Sequence, residues 1–273
     1  MSWVCVVPVK GSAEAKSRLG QLPESFPARG DLAEAFALDT VAALLASPSV
    51  EQVLVVTADP VAAAPLAALG ARIVPEPPYT FPAAISGAPG APAAPAAPAV
   101  PAVPAVPAVP AVPAVPAVPA APAVPAASDA SSAGAGRDPL NAAIAEGIRV
   151  AHELWPLSHV GVLTGDLPAL TVADVERTLA AAAGHDRAMV ADEEGIGTTT
   201  LLARAGLAVT PLFGPGSRAA HEAAGHRPLD LPASATIRRD VDTVADLAEV
   251  LHRGVGVHTS ALIARSQRGA ISS

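Results

Sequence analysis

Three segments of this sequence concentrate residues that could do chemistry. In VLTGDLPAL (Val162–Leu170) a run of strand-forming apolar residues ends in Asp166. In RRDVDTVADL, Asp240 and Asp242 precede a stretch with helical spacing. PVKGSAEAKSRL holds both lysines of the chain, Lys10 and Lys16, with Arg18 beside them; all other basic residues are arginines. In an open α/β sheet the carboxyl ends of the strands frame the ligand crevice, so a carboxylate that ends a strand is well placed to hold a cation. Magnesium takes one or two carboxylates together with phosphate oxygens and water. A lysine ammonium suits phosphate oxygens as a point charge, and arginine adds a bidentate fork. Asp166 is therefore expected to hold magnesium, with Lys10, Lys16 and Arg18 facing the phosphates of a nucleoside triphosphate.

Each assignment competes with a structural role. Asp166 could cap the helix that follows, but Thr171 stands closer to it and is the better cap. Asp242 is expected as N-cap of a helix beginning at Thr243, which leaves Asp240, at a strand's end, as the second metal ligand and Asp242 in reserve. GIGTTTLLARAG and LFGPGSRAAHEAAG add glycines, which let backbone approach an anion, and hydroxyls that donate to it. Ser217 opens an expected helix and fits either a phosphate or a simple cap. The 7 histidines show no metal-ligand spacing, and His221 is expected on the exposed side of its helix. Neither G-x-x-x-x-G-K-[ST] nor G-x-S-x-G occurs, which excludes an ordinary P-loop and a serine-hydrolase elbow.

The elements that must position these residues alternate between strand and helix. WVCVVPV, QVLVVTA, ARIVP, HVGVLTG, RAMVAD, TTTLLARAG and ATIRRD read as strands, several of them continuous apolar runs. Between them DLAEAFALDTVAALLAS (Asp31 as cap), RDPLNAAIAEGIRVAHEL (Asp138 as cap, Pro139 at the first helical position) and TVADVERTLAAAAG read as helices. Continuous apolar strands separated by helices imply a mostly parallel sheet covered on both faces.

One segment does not belong to that pattern. From Pro89 to Pro125 proline recurs at every third position, with Ala and Val between. Proline removes the amide donor and fixes φ, so helix and central strand are both excluded. The period suits a polyproline II rod of about 115 Å if straight, flanked by flexible linker. Residues Tyr79–Gly136 are accordingly expected to be an insertion, disordered or polyproline II, in a single domain made of residues 1–78 and 137–273. Deleting Gly87–Gly134 is expected to leave turnover and thermal stability unchanged, because the rod has no hydrogen-bonded core to contribute. Loss of folded protein on that deletion would show that the segment packs on the domain.

Roughly 215 residues remain, enough for one α/β domain. The net charge of −8 argues against a nucleic-acid surface. No apolar run suits a bilayer span and no signal pattern opens the chain, so a cytoplasmic protein is expected. The single Cys5 lies in an apolar strand and reads as a buried structural thiol.

Seven segments in order, VPVKGSAEAKSRL, VLVVTADP, PLNAAIAEG, LTGDLPAL, GTTTLLARAG, FGPGSRAAH and RRDVDTVADL, resemble the guanylyltransferases that activate a three-carbon phospho-acid in the biosynthesis of coenzyme F-420. The resemblance spans nearly the whole chain outside the insertion. It implies a Rossmann-like, GT-A-like nucleotidyltransferase fold, GTP as donor, magnesium as cofactor, and phosphoenolpyruvate or 2-phospho-L-lactate as acceptor. Residue by residue it implies Lys10, Lys16 and Arg18 on the GTP phosphates, Asp166 and Asp240 on magnesium, and Thr199, Gly214 and Ser217 on the acceptor phosphate. Catalysis would rest on Lys16, Arg18 and Asp166. Two positions depart from the family pattern: the glycine run usual before LNAA is replaced by GAGRDP, and GTGTT is GIGTT at Gly195–Thr199. The acceptor phosphate is already an anionic nucleophile, so no general base is needed, in keeping with the absence of a Ser-His or Cys-His pairing motif. Alternative readings are a nucleotidyltransferase with a pterin or sugar-phosphate acceptor, and a non-catalytic GTP-binding module. Neither nucleic acid nor membrane is an expected partner, and a homodimer is an open option.

Overall fold

A computed structural model of the chain describes residues 1–10, 19, 22–23, 26–77 and 138–271. Lys16, Arg18 and the insertion at Tyr79–Gly136 lie outside the described residues. Seven strands form one sheet: β1 (Trp3–Pro8), β2 (Val50–Thr57), β3 (Arg72–Pro75), β4 (His159–Leu163), β5 (Arg187–Ala191), β6 (Thr198–Ala203) and β7 (Arg227–Pro228), in the order β3-β2-β1-β4-β6-β5-β7. β1 to β4 pair in parallel, with Trp3 of β1 opposite His159 of β4. β6 runs antiparallel to both β4 and β5, and β7 is parallel to β5, so β6 is the one reversed strand in the sheet.

The pleat sends alternate residues of β1 to opposite faces. Val4 and Val6, with Leu54 and Val56 of β2, pack under Ile144 and Ile148 of α3 (Pro139–Leu154). Cys5 and Val7 face the other way, toward α1 (Arg29–Leu45), α2 (Pro60–Ala68) and α4 (Val172–Ala182) through Val41, Leu66 and Leu179. This is the expected parallel-sheet pattern, apolar on both faces. Cys5 is fully buried, and desolvation pushes its thiol up to about 12. α3 lies close on the sheet at Gly147, where a Cβ would stand 2.4 Å from Val6 Cγ1 and 2.7 Å from Val56 Cγ2.

Helix starts follow local chemistry. Asp138 accepts from the Leu140 amide at 3.0 Å and Pro139 takes the first helical position; Thr171 caps α4 through the Asp174 amide. Asp31 is not the cap of α1: the helix begins at Arg29, and Asp31 lies in its first turn, where a carboxylate still favours the helix dipole. α5 (Ser217–Ala223), α6 (Val244–Arg253) and α7 (Val257–Ile271) complete the chain. α7 is tied to α1 by the buried Asp39, which accepts from the amides of His258 and Thr259.

The segment ATIRRD is not a strand. Thr236–Arg238 form a 3-10 turn whose polar groups are taken by side chains instead of a ladder. Thr236 donates its amide and hydroxyl to Asp174, and the Ile237 carbonyl accepts from Thr199. Asp240 thus follows a turn rather than a strand. Among the described residues, no helix is long and apolar enough to cross a membrane.

Candidate active site

Asp166 leaves the sheet two residues after Thr164, whose amide still bonds to Thr199 O at 3.0 Å. Between them Gly165 passes over the end of β1, where a Cβ would lie 3.0 Å from the Pro8 carbonyl. The Asp166 carbonyl accepts from the Val241 amide at 3.1 Å. That bond docks the distant segment 240–242 onto the end of β4. Val241 is fully buried against Leu32, Phe36 and Leu247. Its flanking residues, Asp240 and Asp242, stay half-buried, and one carboxylate oxygen from each of Asp166, Asp240 and Asp242 lies within 4.8 Å of the others.

Asp242 is therefore not the helix cap expected from the sequence. Thr243 caps α6 by accepting from the Asp246 amide, and the Asp246 carboxylate accepts from the Thr243 amide at 2.6 Å. This reciprocal capping box uses the T-x-x-D spacing, which is visible in the sequence and releases Asp242 for the cluster. An oxygen-only set of three carboxylates suits a hard divalent cation, so the cluster can hold a metal.

The trio lines a cleft of about 640 Å³ together with Gly214 and Ser217. Asp166, Asp240, Gly214 and Ser217, far apart in the chain, are thus brought together. Gly214 sits at φ +135° with no heavy atom within 4 Å of a built Cβ, so backbone conformation, rather than crowding, demands glycine there. Ser217 is buried as the first residue of α5; the cap is Gly216 at φ 72°. The amides at this helix start are partly used: Ser217 donates to Gly214 O at 3.0 Å and Arg218 to Ile196 O at 3.2 Å. These two amides are therefore already committed to backbone partners.

Thr199 is not brought into the cleft lining. Its hydroxyl donates to Ile237 O at 2.7 Å, and its neighbour Thr198 takes the place on the cleft wall. Alternation in β6 lets only one of two consecutive threonines face the cleft; register decides which. Lys10 is exposed and lines an adjoining cleft of about 300 Å³, which shares Leu140 with the first.

Three further residues shape the site. Asp192 accepts from the amides of Ile196 (2.9 Å) and Gly197 (2.7 Å), and a Cβ on Gly197 would lie 2.4 Å from Asp192 Oδ2. Arg239 is only 5% exposed and pairs with Glu193 at 3.2 Å and Glu249 at 3.8 Å. His221 is fully buried instead of exposed: it bridges the Leu212 amide and Thr198 and stacks edge-on against Phe213. Its short helix lays this residue against the end of the sheet, which a lone helical spacing does not reveal. Among the described residues the cleft lining counts eight carboxylates and a single arginine, so it is strongly acidic.

A mostly parallel sheet with an acidic cluster at its strand ends and an adjoining hydroxyl wall defines a Rossmann-like nucleotidyltransferase. In fold the chain is similar to a solved candidate nucleotide-diphospho-sugar transferase from Desulfovibrio desulfuricans G20, with a TM-score of 0.50, 14% identity, and coverage of 97% of this chain and 99% of that one. No protein-family profile matches the chain. Phosphoenolpyruvate guanylyltransferase of Streptomyces scabiei is 40% identical over 265 residues, 97% of each chain. The protein of the same name from Thermomonospora curvata is 38% identical over 265 residues, 97% of this chain and 90% of its own. That of Sanguibacter keddieii is 42% identical over 273 residues, 98% of this chain and 86% of its own. The chain belongs to the phosphoenolpyruvate guanylyltransferase family.

Proposed function

We propose that this chain transfers GMP from GTP to the phosphate of phosphoenolpyruvate, a step of coenzyme F-420 assembly. A phosphate oxygen of the acceptor attacks the α-phosphorus of GTP; the bond to the bridging oxygen breaks, and pyrophosphate leaves. The observation that carries the reading is the convergence of Asp166, Asp240 and Asp242 opposite Ser217 and Gly214 in one cleft. The three aspartates would hold magnesium, which when bound neutralises phosphate charge and polarises the phosphorus under attack. Ser217 offers its hydroxyl to the acceptor phosphate, and Gly214 gives the preceding backbone its turn. Thr199 supports that wall from behind through Ile237. Lys10, which lines the adjoining cleft, is assigned to the nucleotide side, and Lys16 and Arg18, outside the described residues, are assigned to the same GTP phosphates on the strength of the family resemblance alone. The chain's part is positioning and charge compensation, which suffice when the nucleophile is already an anion. GTP and phosphoenolpyruvate are both cytoplasmic metabolites, and the reaction is placed there.

Mass spectrometry of products after incubation with GTP, magnesium and either phosphoenolpyruvate or 2-phospho-L-lactate tests the reading. A guanylylated phosphoenolpyruvate with stoichiometric pyrophosphate is expected; intact GTP with both acceptors would sink it. Lys10→Ala, Lys16→Ala and Arg18→Ala are each expected to raise the KM for GTP by roughly ten- to a hundredfold and to leave that of the acceptor near its starting value. Steady-state kinetics with each substrate varied in turn decides; a loss confined to the acceptor would move these cations to the other half of the site.

A further inference from the structure

Thr198 opens β6 on the wall of the cleft, and its hydroxyl has one protein partner among the described residues, Nδ1 of His221 at 3.0 Å. The other ring nitrogen, Nε2, lies 2.9 Å from the amide of Leu212. An amide N–H can only donate, so Nε2 must be the bare acceptor and the ring proton must sit on Nδ1. Burial, with a smaller contribution from the charge of His226, pushes the imidazole down to about 4, which keeps the ring neutral at ordinary pH. Nδ1–H then donates to Thr198 Oγ1. With its oxygen accepting from histidine, the threonine's own proton turns away from the ring and is left for a partner in the cleft that Thr198 lines.

Two more features point the same way. Gly197, the residue before Thr198, lies beside Ser217: a Cβ on it would stand 3.8 Å from Ser217 Oγ. The Ser217 hydroxyl makes no hydrogen bond to a described residue and also lines the cleft. The loop carrying Gly214 and Ser217 is fixed at its start by the same imidazole through Leu212, and by Asn141, which both donates to and accepts from Phe213. One buried ring therefore joins the two walls that meet around the acceptor.

We propose that His221 is a positioning residue that makes Thr198 an obligate donor to the acceptor's phosphate, paired with Ser217. The inference rests on the acceptor reading given above. It assigns to Thr198 the contact that the family resemblance gives to Thr199, and it gives a role to a histidine that touches no substrate.

The test is steady-state kinetics of the full chain with GTP, magnesium and phosphoenolpyruvate, alongside thermal melts. Thr198→Val keeps shape and removes the donor; it is expected to raise the KM for phosphoenolpyruvate by about 10- to 100-fold, with the KM for GTP little changed. Thr198→Ser should recover most of the loss. His221→Leu should raise the same KM, His221→Asn, which keeps an N–H near Nδ1, should raise it less, and His221→Leu should add nothing in the Thr198→Val background. An unchanged phosphoenolpyruvate KM in Thr198→Val overturns the inference, as does a His221→Leu effect equally large with and without Thr198. If His221→Leu does not fold, the Thr198→Val and Thr198→Ser pair with His221→Asn decides on the same criteria. Failure of the unaltered chain to guanylylate phosphoenolpyruvate would sink the acceptor reading and this inference together; normal turnover with indifferent variants would sink the inference alone.

Discussion

Asp242→Asn is expected to silence GMP transfer as thoroughly as Asp166→Asn and Asp240→Asn, by roughly 10²–10³-fold, while all three proteins melt within a degree or two of the unaltered chain. The trio could hold one ion, with an oxygen from each within 4.8 Å of the others. Replacing a carboxylate by an amide removes a charge and weakens the ligand while preserving shape. Stability should not follow activity, because the cap of α6 belongs to Thr243 and Asp246 and does not depend on Asp242. Thermal melts beside initial rates check both halves. A normally active Asp242→Asn that melts lower would return this residue to a structural role.

Chelating the divalent metal should abolish binding of phosphoenolpyruvate itself, beyond stopping turnover. The described lining of the cleft carries eight carboxylates against Arg239 alone, and Arg239 is already paired with Glu193 and Glu249. At an effective dielectric of about 20, two like charges roughly 6 Å apart repel by about 3 kcal/mol. An acceptor bearing several negative charges enters such a cleft far more readily once a bound divalent cation offsets the local field. Calorimetric titration with phosphoenolpyruvate in magnesium and in excess chelator should differ by at least ~100-fold in Kd. Equal affinities in the two buffers would mean that the acceptor binds away from the aspartates.

The sheet and its alternating helices were legible because continuous β-branched runs, an Asp-Pro helix start and threonine caps are local signals. Asp166 was legible for the same reason: it ends an apolar run, and its capping role had a better claimant. Asp240 and Asp242 were harder. Their convergence on Asp166 depends on one backbone hydrogen bond from Val241, a contact between segments more than seventy residues apart that no local pattern encodes. The cap at Thr243 could have been read from its partner three residues on, and that alone would have freed Asp242. Thr198 and His221 depended on register and helix placement. Which of two adjacent threonines faces a cleft, and whether a helical histidine points in or out, is decided by packing that period counting does not reach.

The parallel pairing of β1 with β4 sets a limit on how the chain can fold. Trp3 must find His159 before the centre of the sheet exists, so every native molecule closes a loop that includes the whole proline-rich segment. Were the segment to close as a flexible chain and not as a rod, the entropy of closure would grow only with the logarithm of length. Removing Gly87–Gly134 would therefore change that barrier by about 0.3 kcal/mol, less than a twofold change in rate. A sheet centre assembled from such distant strands is slow to form with or without the repeat. Repeat units can lengthen or shorten in this gap with little kinetic consequence, so the point in the chain between β3 and α3 can tolerate expansion by slippage of a nine-base tract.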